Sequence, residues 1–141
     1  MQRTLSAVLD ELIPARDEEI PGAGSLGIGA FVETQLGDAS SLAASGLTAL
    51  DARARDRGAA DFADLPTEER APLLDEVAAQ HPGFVESLFF HACMGYYQNP
   101  AVVTALGLEP RPPHPDGYEL EPGDLGLLAD VRKSGKLYRD V

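Results

Sequence analysis

A chain of 141 residues with an ordinary apolar fraction of 44% is long enough for one domain, burying about two-thirds of the surface its unfolded form exposes. Its 23 acidic residues against 11 basic ones, only two of them lysine, give a net charge of −12, which repels phosphate backbones and anionic headgroups and makes nucleic acid and membrane surfaces poor partners. A single cysteine, Cys93, excludes an intramolecular disulfide and a cysteine-based zinc site, and no apolar run reaches the roughly eighteen residues of a membrane span.

Helical periodicity begins at once. Leu5, Val8, Leu9 and Leu12 share one face, which predicts a helix over residues 4–13 with Thr4 as its cap and Pro14 as its stop. Residues 15–24 read as a loop, with Pro21-Gly22 marking a turn. Ser25 then caps a second helix, in which Ile28, Phe31, Val32, Gln35 and Leu36 keep helical spacing and Gly37 closes the run. Residues 38–57 form an alanine-rich third helix with Leu42, Leu47 and Leu50 facing inward. Gly46 allows close packing or a bend, Arg53, Arg55 and Arg57 complement the negative end of the helix dipole, and Gly58 ends the element. Residues 61–66 hold Phe62 and Leu65 against the core. Thr67 caps a fourth helix to Gln80, with Glu68 and Glu69 in its first turn. Its regular part is expected from Ala71, after a tighter turn, because Pro72 removes one hydrogen bond.

The densest aromatic run follows. Five of the nine Phe and Tyr residues fall between Phe84 and Tyr97. At helical period Phe84, Leu88, Cys93 and Tyr96 make one stripe, with Val85, Phe89 and Ala92 beside it, the pattern of a buried central helix. Tyr96 and Tyr97, at its end, are expected to reach the surface, where a ring with a polar tip suits an interface. Pro82-Gly83 opens this helix. Asn99 as cap and Pro100 as first residue start another short helix over 101–106, and Gly107 ends it in a left-handed conformation.

After Leu108 the texture changes. Residues 109–124 carry five prolines in sixteen positions and no period, which predicts an extended segment. Residues 125–131 make one more short helix, closing near Gly135. The fold class is therefore all-α: a small bundle of about five helices over residues 1–108, then an extended proline-rich arm and short terminal helix over 109–141.

Chemistry is sparse. His91 and Cys93 lie on different sides of a helix, and neither HxxxH nor ExxH occurs, so His91 reads as a polar contact at the bundle's edge. There is no G-x-S-x-G elbow, and the glycines from 22 to 29 follow no strand that a dinucleotide site requires. The pairs Asp10-Glu11, Glu18-Glu19 and Glu68-Glu69 sit at helix ends or loops as solvated surface. The residues themselves point to no catalytic, metal or cofactor site.

Three stretches in order carry a resemblance: AVLDELIPARDEEIPGA at 7–23, GLTALDARARDRGAADFADLPTEERAPLLDEV at 46–77, and FFHACMGYYQNPAVVTALGL at 89–108. Asp10, Leu12, Ile13, Pro14, Asp17, Pro21, Gly22 and Ala23 match the opening motif. Gly46, Leu47, Leu50, Asp51, Phe62, Leu65, Leu73 and Leu74 match the middle one, and Gly95, Tyr96, Tyr97, Pro100, Leu106 and Gly107 the last. Together they are similar to the small subunit, subunit 3 or gamma, of gluconate 2-dehydrogenase and related flavin-dependent sugar dehydrogenases. The resemblance implies a non-catalytic helical subunit that binds and stabilises a large catalytic partner of the glucose–methanol–choline oxidoreductase type. That partner holds FAD and oxidises a sugar or sugar acid, and a cytochrome c subunit is often a third member. Family members often carry a twin-arginine export signal. Here Met1-Gln2-Arg3 leads straight into the first helix, so either the complex is cytoplasmic or the partner carries the signal, and a cytoplasmic complex is expected because Cys93 has no pairing partner in the chain.

On this reading Phe90, Tyr96, Tyr97, Asn99 and Pro100, with Pro112, Pro113 and Tyr118 from the arm, are the residues expected to touch the large subunit. The alternatives are a stand-alone helical protein that holds a small apolar or aromatic ligand near Phe89, Phe90 and Tyr96, and an enzyme built around His91.

Overall fold

Prolines and glycines cut the chain into its helices. The computed structural model describes residues 1–16, 19–111 and 123–134, in two compact units, Met1–Pro110 and Arg111–Val141. The first holds α1 (Gln2–Leu12), α2 (Gly29–Gln35), α3 (Ser40–Asp56), α4 (Thr67–Gln80), α5 (Phe84–Gln98) and α6 (Pro100–Ala105). In the second, a 3₁₀ turn at Leu125–Leu128 leads into α7 (Ala129–Lys133). No strand forms among the described residues; one antiparallel bridge between Arg16 and Ile20 pinches the loop after α1. The protein is all-α. Pro112, Pro113 and Tyr118, and most of the proline-rich segment, lie outside the described residues.

Several boundaries differ from the sequence reading for identifiable reasons. α1 begins at Gln2, so Thr4 is no cap. Its side chain is fully buried, and the hydroxyl donates to Asp51 Oδ1 on α3 at 2.8 Å. Ser25 caps nothing: it lies in a 3₁₀ turn, Ala23–Leu26, and its hydroxyl donates to the Gly22 carbonyl at 2.7 Å. Gly27, at φ 68°, ends that turn, and α2 starts only at Gly29. A 3₁₀ turn at Gly37–Ala39 likewise precedes α3. α4 is regular from Thr67 with Pro66 as N-cap, and Pro72 sits inside it. The ring lacks the N–H that would reach the Glu68 carbonyl, but this one lost bond does not break the helix, whose Leu73, Leu74 and Val77 are buried.

The core is one cluster in which α1 touches α2, α3, α4 and α5. Phe62, Phe84, Leu5, Leu9, Leu50, Leu73 and Leu88 are its largest fully buried side chains. Phe62 and Leu65, from the α3–α4 connection, are buried as the sequence suggests. Gly46 shows why α3 carries a glycine: a Cβ there would strike the ring of Phe84. The glycine lets α5 lie against α3 at backbone distance, and Phe84 fills the space a side chain would take.

Candidate docking face

α5 is two-sided. Phe84, Leu88, Ala92, Gly95 and Tyr96 are buried, an unbroken inward stripe at spacings of three and four. Cys93, placed in that stripe by the sequence reading, is only half-buried; Ala92 and Gly95 occupy the inward positions. Gly95 is there because its neighbour is the ring of Phe31, from α2.

The opposite side carries Phe90, Met94 and Tyr97 at i, i+4 and i+7, all exposed. Phe90 is 63% and Tyr97 59% accessible, and Phe89 beside them is 47% accessible. The helix is therefore not buried all round. Leu106 and Leu108, at and beyond the end of α6, are exposed as well. Scattered apolar surface residues are ordinary, but two aromatics and a methionine in register on one helix form a patch of the kind that marks an interaction surface.

The two tyrosines separate. Tyr97 reaches the surface, whereas Tyr96 is only 3% accessible and donates its hydroxyl to the Pro21 carbonyl at 2.9 Å. Burial, then the neighbouring Tyr97, raise the Tyr96 phenol above its ordinary range. The rings meet edge to face, 5.2 Å apart at 89°. Tyr96 thus supports Tyr97 from behind. Asn99 caps α6 as the sequence suggests, its side chain accepting from Ala101 N at 3.0 Å, and Pro100 is exposed in the first turn. Tyr97 and Pro100 are thus on the surface at the corner, with Asn99 half-buried at its turn, and Phe90 is exposed two turns earlier on α5.

Other motif residues, Asp10, Gly22 and Asp51 among them, build the scaffold. Asp10 accepts from Gly24 N at 2.8 Å, and a Cβ at Gly22 or Gly24 would run into Asp10, at Gly24 also into the Ser6 carbonyl. This closes the loop that Tyr96 holds at Pro21. Asp51 accepts both the Thr4 hydroxyl and Phe62 N, the latter at 3.1 Å, tying α1 and the α3–α4 connection to α3. Arg70 donates to the carbonyls of Leu65 and Ala63 at 3.0 and 2.6 Å. Sequence reasoning passed over Arg70 and saw Asp51 only as part of a motif, since their partners, the Thr4 hydroxyl and backbone atoms of the α3–α4 connection, carry no sequence signal.

His91 is a local contact. Its Nδ1 lies 2.7 Å from the Ser87 carbonyl, to which it donates, and its ring meets Phe90 edge-on at 5.2 Å. Burial raises the Cys93 thiol above its ordinary range, which works against a nucleophilic thiolate. No group of three metal-ligating side chains occurs among the described residues. Two open clefts of similar size lie among the described residues. One of about 450 Å³ is lined by Met1, Leu5, Leu36, Leu47 and Leu88 with Glu33 at hand; another of about 430 Å³ includes Glu11, Pro14, Pro21 and Arg70. Neither is lined by Phe89, Phe90 or Tyr96, where the ligand-binding alternative had placed one.

Fold and surface together define a small helical bundle that presents an aromatic helix face. A family model for gluconate 2-dehydrogenase subunit 3 matches residues 1–111, and the chain belongs to that family. No curated protein and no solved structure gives a significant match. The family is named for one subunit of a gluconate 2-dehydrogenase, which agrees with an accessory role. Its match ends at residue 111, one residue past the first compact unit, so α7 lies beyond it.

Proposed function

We propose that the chain is a non-catalytic small subunit that binds and stabilises a large FAD-dependent dehydrogenase of the glucose–methanol–choline type acting on a sugar or sugar acid. The observation that carries this reading is the exposed Phe90–Met94–Tyr97 stripe on a bundle of the subunit 3 family. Covering such a stripe removes apolar area from water at about 25 cal/mol per Å², while the rigid backbone of α5 adds little ordering cost. In this account FAD belongs to the partner, a cytochrome c subunit is a third member in some assemblies, and the proline-rich segment after Leu108 adds a second contact. Co-expression with the large flavoprotein of the same organism, followed by size exclusion, tests the reading. A yellow complex containing both chains supports it; a colourless monomer eluting apart from the flavoprotein refutes it.

A further inference from the structure

The charge around α5 is one-sided. Residues 1–110 hold six arginines against seventeen carboxylates, and residues 71–110 contain no lysine or arginine at all. The arginines in ion pairs of this unit are engaged elsewhere: Arg3 with Asp61 and Asp64, and Arg53 and Arg57 of α3 and its end with Glu69 and Glu76 of α4. Arg70 is bound to carbonyls of the α3–α4 connection. α5 carries one charged side chain, the exposed Glu86 in its first turn. Glu86, Phe90 and Tyr97 fall at i, i+4 and i+11, so the carboxylate heads the same outward stripe as the two rings, about 16 Å from Tyr97 along the axis. The last turn of α5 has no basic residue to offset the negative end of its dipole.

This arrangement selects among occupants. A second copy of the chain fits poorly, because pairing two α5 faces brings together two acidic bodies with no cation on either face. Exposed ring faces carry negative electrostatic potential and attract arginine or lysine, and with no cation on α5 or α6 to occupy them, that position is open to a partner's. We propose that the α5 face receives a cationic amphipathic segment of about three helical turns from the large subunit. Its aliphatic side chains cover Phe90, Met94 and Tyr97, and its arginine or lysine side chains lie over the rings and against Glu86. This rests on the accessory-subunit reading and adds the chemistry of the surface that meets the chain. Such pairing acts chiefly on the rate of encounter, and the apolar stripe on the lifetime of the complex.

The test measures association of the full-length chain with the purified large flavoprotein by biolayer interferometry at low and high salt, with circular dichroism to establish folding. Wild type is expected to associate severalfold more slowly at about 0.3 M than at about 0.05 M salt. Glu86→Lys should slow association about tenfold and flatten the salt dependence, and Phe90→Ala with Tyr97→Ala should speed dissociation about tenfold. Asp75→Lys, the same charge change at an exposed position of α4, should stay within about twofold of wild type. Glu86→Lys at wild-type rates, or no weaker than Asp75→Lys, overturns the inference while leaving the accessory-subunit reading intact. A self-associating wild-type chain also overturns it. Wild type that does not bind the flavoprotein at all removes both.

Discussion

The hydroxyl of Tyr96 donates to the carbonyl of Pro21, joining the end of α5 to a loop seventy-five residues earlier in the chain. Because the ring of Tyr97 stands edge-on against Tyr96, the loop, the buried ring and the exposed ring form one stack. The bond satisfies a carbonyl beside the glycines that close on Asp10. Tyr96→Phe keeps the shape and leaves Pro21 without its donor, which should cost about 1–2 kcal/mol in urea unfolding. Tyr97→Ala should cost less than about 0.5 kcal/mol, as exposed positions do. Equal losses from the two would contradict the assignment of Tyr96 as support and Tyr97 as contact.

Gly46 and Phe84 compete for one volume. Alanine is favoured over glycine inside a helix by about 1 kcal/mol, yet the added methyl at 46 would press into the ring. Overpacking of this kind costs about 1–3 kcal/mol, so Gly46→Ala should lower the melting temperature. A raised melting temperature would show that α5 can move away from α3 at little cost.

Asp51 ties α1 and the α3–α4 connection to α3. Asp51→Ala strips an acceptor from the Thr4 hydroxyl, which is fully buried, and from the Phe62 amide. A loss of about 2–4 kcal/mol is expected. Thr4→Val removes the buried hydroxyl and leaves Asp51 bound to Phe62, so its cost should be nearer 1 kcal/mol. Chemical denaturation of the pair decides the order.

Glu11 supplies a pH dependence. Desolvation raises its carboxyl above the ordinary range; Arg70 opposes the shift and Asp10 adds to it. A raised carboxyl is harder to ionise in the folded chain than in the unfolded one. Its ionisation therefore subtracts stability above the folded value, and the penalty vanishes below the unfolded value. Glu11→Gln should melt higher than wild type at neutral pH, with the gap closing as pH falls through the carboxylate range. A gap that widens on acidification would mean that the attraction to Arg70 dominates.

Much of the bundle was legible because its punctuation is local. Pro14, Gly37, Gly58, Gly83, Asn99-Pro100 and Gly107 act through their own backbone, and Gly58, Gly83 and Gly107 all take positive φ. What escaped depends on distant partners. Thr4 looks like a cap until Asp51, forty-seven residues away, takes its hydroxyl. Tyr96 and Tyr97 read alike in sequence, but one step of about 100° around the helix puts one in the core and the other in water. Counting aromatics gave a helix buried all round; only the placement of α2 and α3 reveals which side of α5 they cover, and leaves Phe90 on the other. Of the residues expected to dock, Phe90, Tyr97 and Pro100 are exposed, Asn99 is half-buried, and Tyr96 lies in the core.

On the proposed function, the Phe90–Met94–Tyr97 stripe is the surface covered by the large subunit. The most direct test of this is hydroxyl-radical footprinting of the wild-type chain, alone and in complex with the flavoprotein, read by mass spectrometry at those three residues. All three should be strongly oxidised in the isolated chain and protected in the complex, with Leu125 and Leu127 as exposed references. Unchanged oxidation of Phe90, Met94 and Tyr97 in a complex that demonstrably forms would place the interface elsewhere on the chain.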